Sequence, residues 1–322
     1  MSYRDAQARR RARERARRAR VRRRRVGAVV ALLVVAGAVA FVASSAGSGR
    51  HPRRRRETAV ASAGRRQGHT SASPGSVSAR VTGVPGHAIA PILMYHVINP
   101  PIAGAPYPGL YVPEPEFAAQ MDALHAAGWH AVTMNQLEAN WTRGVPVGPG
   151  KPIVISFDNG YQSQFTNALP VLRRLGWVGV ENIQLTGLPP SQGGLTGAQV
   201  SGLLGAGWEL DTQGISHADL VTLDPAELRY QVAGARRILR RRYGVPINWF
   251  CYPSGHYDAA VIAAVRAAGF TGSTTVVPGW ASRSEDRYRL PRLEVLGGTT
   301  PAGLLSQIAA VEHAAPAPAS YS

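Results

Sequence analysis

The sequence predicts a parallel α/β fold, a single (β/α) barrel over residues 87–313, preceded by one transmembrane helix. Three observations carry this. Apolar runs of strand length alternate with segments of helical periodicity throughout residues 87–313. An uncharged apolar stretch, residues 26–43, directly follows four consecutive arginines, Arg22 to Arg25. The formal charge of +17 in 322 residues is not spread along the chain. Residues 1–66 hold 20 Arg against 3 acidic residues, and residues 67–322 balance 16 basic with 16 acidic residues. That distribution disfavours a basic nucleic-acid-binding domain, and no nucleic-acid partner is expected.

Taken in order, residues 1–25 form an Arg-rich head with only Asp5 and Glu14 opposing 13 arginines. Residues 26–46 just reach the roughly 20 residues that a helix needs to cross a bilayer. Positive-inside logic places the head in the cytoplasm and the barrel outside, as a single-pass protein of the cell membrane. A cleaved signal peptide with Ser44-Ser45-Ala46 at its cleavage site is the competing reading. Residues 47–86 are a basic linker rich in Gly, Ser and Ala that cannot bury a core, and residues 314–322 read as a disordered tail. Single Cys251 excludes an intramolecular disulfide.

Within the barrel, strands are expected at residues 90–95, 131–134, 152–157, 178–185, 208–210, 248–252, 271–277 and 290–295. Residues 116–127 place Phe117, Met121 and Leu124 on one helical face before Gly128. Residues 165–175 end at Gly176. Asp224 with Pro225 and Glu227 opens a helix that runs to Gly244, Asp258 opens another that stops before Gly269, and Thr300-Pro301 opens the last.

Four strand ends carry polar residues: His96 after Leu93-Met94-Tyr95; Asp158-Asn159-Gly160 after Ile153 to Phe157; Asp211 to His217; and Tyr252-Pro253-Ser254-Gly255. In a (β/α) barrel the chemistry sits at these C-terminal ends.

At these residues the chain resembles the polysaccharide deacetylase family (NodB-homology domain, carbohydrate esterase family 4), closest to its poly-N-acetylglucosamine deacetylase branch. The match runs through Pro91 to His96, Phe117 to Met121, Ala127-Gly128-Trp129, Lys151 to Tyr161, Leu169 to Leu172, Phe250 to Gly255 and Leu290 to Leu293. The resemblance implies an irregular (β/α) barrel of the polysaccharide deacetylase type. It also implies hydrolysis of the N-acetyl amide of cell-wall or surface polysaccharide, with a divalent metal, zinc by resemblance, polarising the carbonyl and activating water.

Carried over, Asp158 takes the position of the catalytic base and His96 that of the acid. Asn159, Gln213 and His217 fall on the three metal-ligand positions. Tyr252, Pro253 and Ser254 are expected to wall the substrate pocket, with Trp280 stacking on sugar and Arg292 orienting Asp158 beside the substrate. Two ligand positions therefore carry neutral amides, which bind divalent cations more weakly than carboxylate or imidazole. Asp211, two residues from Gln213 on one strand face, and Asp219, near His217, are candidates to rescue the ligand set. Two readings stay open: a membrane-anchored deacetylase of reduced or lost activity, and a pseudoenzyme that binds glycan or a cell-envelope partner.

Overall fold

The computed structural model describes residues 83–105, 107–188 and 193–322. The expected Arg-rich head, the membrane span at 26–46 and nearly all of the linker lie outside the described residues. Among the described residues no helix is long and apolar enough to cross a membrane.

The described chain starts at the N-terminal ends of the strands, which we call the base. There Gly86 donates its N–H to Asn140 O, and Ala88 donates to Asn140 Oδ1 at 3.0 Å. It then enters β1 (Ala90–Tyr95), whose six residues are all buried, as expected for a strand covered on both faces. The order continues with α1 (Glu114–Ala126), β2 (Trp129–Ala131), α2 (Met134–Arg143) and β3 (Lys151–Asn159). A π-helical turn at Gln164–Ala168 leads into α3 (Leu169–Arg174), then β4 (Val180–Ile183), α4 (Gly197–Gly205) and β5 (Glu209–Thr212). Next come α5 (Pro225–Arg229), a π-helical turn at Tyr230–Gly234, α6 (Ala235–Tyr243), β6 (Trp249–Cys251), α7 (Ala259–Ala267) and β7 (Gly272–Thr274). Two two-residue strands, β8 (Trp280–Ala281) and β9 (Leu293–Glu294), precede α8 (Pro301–Ala310).

The sheet runs β7-β6-β5-β4-β3-β1-β8, with β2 added to β3 and β9 to β1. Every pairing is parallel except β1 with β8. It is a curled α/β sheet, a half-barrel whose two edges are linked by one thread. Leu290 bridges Thr274 at the end of β7, and three residues later Leu293 pairs with Leu93 of β1. Apolar layers lie between sheet and helices: Phe117, Met121 and Leu124 of α1 bury against Tyr95, Phe157 and Trp177. Such burial stabilises by about 25 cal/mol per Å² of apolar surface.

The predicted caps form. Asp224 accepts from the N–H groups of Ala226 and Glu227, Asp258 from Val261, and Thr300 from Gly303. Gly244 closes α6 in the left-handed region at φ 69°. Residues 314–322, expected to be disordered, are instead seated. Tyr321 exchanges backbone hydrogen bonds of 2.8 and 2.9 Å with Tyr257, and Pro318 O accepts from Tyr257 Oη at 2.7 Å.

Candidate active site at the strand ends

The C-terminal strand ends form a rim on which β1, β3, β4, β5 and β6 bring their last residues together. Gln164, in the π-helical turn and fully buried, donates from Nε2 to both His96 O (2.9 Å) and Asp158 O (2.8 Å). It therefore fixes the ends of β1 and β3 side by side. Asn159 then leaves β3 with φ 77° and Gly160 follows at 88°, where a Cβ would meet Ile183 Cγ1 at 2.7 Å. Two successive left-handed residues turn the chain sharply off the sheet, and glycine is required at the second.

Asp158 is 1% exposed and its carboxylate is fully engaged. Arg292 grips it bidentately, Nη1 to Oδ1 at 2.7 Å and Nη2 to Oδ2 at 2.9 Å. Asn182 Nδ2 donates to Oδ1 at 3.0 Å; Gln213 Nε2 and the Cys251 thiol donate to Oδ2 at 3.0 and 3.4 Å. Five donors occupy a group with about four lone-pair sites. Burial alone would raise the Asp158 carboxyl, but the Arg292 charge and hydrogen bonds override it and hold it down at about 2. Arg292 is itself 0% exposed, and its remaining N–H groups reach Thr275 O (2.8 Å), Ser156 Oγ (3.3 Å) and Cys251 Sγ (3.1 Å). Arg292 thus holds Asp158 from beneath; it is not a substrate-binding residue, because no face of it reaches the cleft.

Gln213 is used twice. Its Nε2 serves Asp158 and its Oε1 accepts from the Asn159 N–H at 3.1 Å. Asn159 Nδ2 donates to Gln184 Oε1 at 2.6 Å. Both amides in the metal-ligand positions therefore work as hydrogen-bonding links between strands. His217, at φ 49°, is half-buried; burial lowers its pKa and Asp158 raises it. Burial pushes His96 down to about 4, with Asp158 opposing and Arg292 and His217 adding to the shift, so its ring is neutral at pH 7. His96 Nδ1 is buried with no hydrogen-bond partner.

These residues do not fit a divalent metal. Among the described residues no group of three His, Cys, Asp or Glu side chains is placed to hold one. The two candidate rescuers are committed elsewhere. Asp211 Oδ1 accepts from the N–H groups of Asn248 (3.0 Å) and Trp249 (2.8 Å) at the start of β6, and Asp219 Oδ1 lies 3.1 Å from His256 Nδ1.

Two further expectations are overturned. Tyr252 is fully buried on the helix side, stacked on Tyr257 and donating from Oη to Tyr288 O at 2.9 Å. Alternation along β6 sends Phe250 and Tyr252 outward, and Trp249 and Cys251 inward. Trp280 is in β8 at the base, opposite Pro91, packed edge-on against Trp129 and donating from Nε1 to Ile308 O at 2.9 Å. It cannot stack on a sugar held at the rim. Pro253 and Ser254 do remain at the rim, with Ser254 at φ 55°. Asn159, His217 and Ser254 are the only non-glycine residues with positive φ among the described residues; Asn159 adjoins Asp158, and His217 feels its charge. Backbone strain of this kind concentrates at ligand sites. Asn182, Gln164 and Gln184 escaped sequence reasoning. Asn182 had a readable signal, a Glu181-Asn182 pair inside an apolar strand run.

Fold and rim together define a deacetylase-type α/β half-barrel. Residues 146–273 match the protein-family model described as polysaccharide deacetylase. A Bacillus subtilis (strain 168) protein named "Putative polysaccharide deacetylase YxkH" is 29% identical over 209 residues, 65% of this chain and 72% of that one. The Streptococcus pyogenes deacetylase PplD, solved in complex with acetate, superposes with a TM-score of 0.62 at 21% identity, covering 69% of this chain and 98% of that one. BC0361, a polysaccharide deacetylase from Bacillus cereus, superposes at 0.60 with 23% identity, covering 69% of each. Over residues 146–273 the domain is thus similar to the polysaccharide deacetylase family. That family acts on N-acetylated polysaccharide and is generally metal-dependent.

Proposed function

We propose that this chain is a membrane-anchored protein whose extracytoplasmic half-barrel binds N-acetylated glycan of the cell envelope and has given up metal-assisted hydrolysis. One observation carries the reading: Asp158 and Gln213 are bonded to each other. A general base needs a free lone pair to take a proton from water, and a metal ligand needs one to give to the ion. The carboxylate in the base position is filled by five donors, and the side chain in the second ligand position spends its oxygen on Asn159 N–H. Neutral His96 and the strained rim of Asn159, His217 and Ser254 remain to meet an acetamido group and its sugar.

The competing reading, a working zinc-dependent N-deacetylase, is separable in one experiment. Full-length protein is purified, its metal content is measured, and acetate release from chitin oligomers is followed beside the Asn159→Asp/Gln213→His double variant. The expected result is metal-free wild type that retains oligomer without releasing acetate. Stoichiometric zinc with acetate release in the wild type would overturn it. A reporter fused after Ser322 that is active only outside the cytoplasm is the result expected for the anchor, and cytoplasmic activity would refute it.

A further inference from the structure

We propose that α6 docks the base of the domain onto the headgroups of an anionic phospholipid bilayer. The helix reads Ala-Arg-Arg-Ile-Leu-Arg-Arg-Arg-Tyr and contains no acidic residue, and it concentrates five of the 15 basic residues that balance 16 acidic ones across residues 87–313. Arg237, Arg240, Arg241 and Arg242 are exposed, and none has an ion-pair partner among the described residues. Arginines in the last turn are favourable for the helix dipole, which accounts for Arg240 to Arg242 but not for Arg237. Arg236, Arg237, Arg240 and Arg241 line a groove of about 450 Å³ with Ala233 and Ala268.

Two further features choose a bilayer over a soluble phosphate polymer. Ile238, 36% exposed, falls beside Arg241 at 3.6 residues per turn, and Tyr230, 51% exposed, opens the π-helical turn that leads into the helix. Exposed apolar and aromatic side chains set among arginines suit the headgroup–acyl boundary and gain nothing from a polyphosphate in water. The second feature is position. Arg236 donates from Nε to Ile247 O (2.7 Å) and from Nη1 to Ala268 O (3.0 Å), at the starts of β6 and β7, so the arginines lie at the base. The described chain also enters at the base, through Gly86 and Ala88. Any segment that precedes Gly86 in sequence therefore meets the domain at the same end as these arginines.

The proposal rests on the anchor proposed above, and the test separates the two. Full-length protein is placed in nanodiscs of phosphatidylcholine alone or with phosphatidylglycerol, and amide hydrogen exchange is followed across residues 230–243. Each arginine near an anionic surface strengthens association about fivefold, so three together contribute about a hundredfold. The expected result is protection of this segment on anionic discs only, abolished by Arg237→Glu/Arg240→Glu/Arg241→Glu while that variant stays on the discs. Equal exchange on both disc types would overturn the proposal, as would protection of wild type on neutral discs by added inorganic polyphosphate. Loss of the variant from the discs would instead refute the anchor.

Discussion

Two strands of this sheet, β3 and β5, each bury carboxyl groups, and they settle the charge in opposite ways. At the rim, burial of Asp158 is answered by a cation, Arg292, and three neutral side chains, Asn182, Gln213 and Cys251, that converge on its two oxygens. The result is an ionised carboxylate held at about 2. On β5, Glu209 and Asp211 stand two residues apart on the same face, both buried, with no cation bonded to either. Glu209 Oε2 accepts from Asn135 N–H at 2.9 Å, Asp211 Oδ1 accepts from two N–H groups, and Glu209 Oε1 and Asp211 Oδ2 have no donor. Burial raises both pKa values, and the charge of Glu209 pushes Asp211 further, so the pair retains a proton. Burial alone therefore does not set the state of a carboxyl; the number and charge of its donors do.

The largest effect that tests this contrast is at Arg292. Arg292→Met leaves Asp158 buried without its cation and is expected to cost about 3–5 kcal/mol, read from denaturant unfolding. A loss within 1 kcal/mol would mean the rim carboxylate is not held as described. Next is the pH dependence. Asp158, lowered in the folded state, adds stability above the ordinary carboxylate range that is lost as pH falls towards 2. The β5 pair, raised in the folded state, adds stability at acid pH that is lost as pH rises above that range. Asp211→Asn keeps an acceptor for Asn248 and Trp249 and removes the second carboxyl. It should be more stable than wild type at pH 8, by about 1.4 kcal/mol for each pKa unit of displacement, with the gap narrowing towards pH 5. A constant gap across that range would break the comparison.

A smaller effect, about 1–2 kcal/mol, is expected for Gln213→Leu, which removes one of five donors to Asp158 and strands the Asn159 N–H. Its acid unfolding should begin at higher pH than that of wild type. The smallest is at Trp280→Phe, which loses the 2.9 Å bond to Ile308 O and about 1 kcal/mol. Affinity for chitin oligomers should not change, because the ring is at the base.

Much of the fold was legible because its signals are local. Strand runs such as Ile153 to Phe157 and caps such as Asp224, Asp258 and Thr300 depend on neighbours in sequence. The helix α2 and the helix α4 were missed although each opens with a Thr-x-x-Gln capping box, Thr133 with Gln136 and Thr196 with Gln199. The strand β8 is two residues long and exists only through its partners Ala90 and Pro91, so no periodicity announces it. Asp158 and His96 were placed at the rim by motif. The network that decides the charge of Asp158 comes from β4, β5, β6 and the segment before β9, and such non-local convergence leaves no spacing to read. Tyr252 was avoidable: its parity with core Phe250 and opposition to Cys251 sends it outward.

Gln213 also orders the steps by which this site can change. Gln213→His alone removes a donor from Asp158 and the acceptor of the Asn159 N–H before any second new ligand exists. Asn159→Asp alone sets another carboxylate beside Asp158, whose one bonded cation, Arg292, has every N–H group already spent. Each route to an acid–imidazole ligand pair thus descends in stability before it rises, and the two amides persist together because neither can leave first without loss.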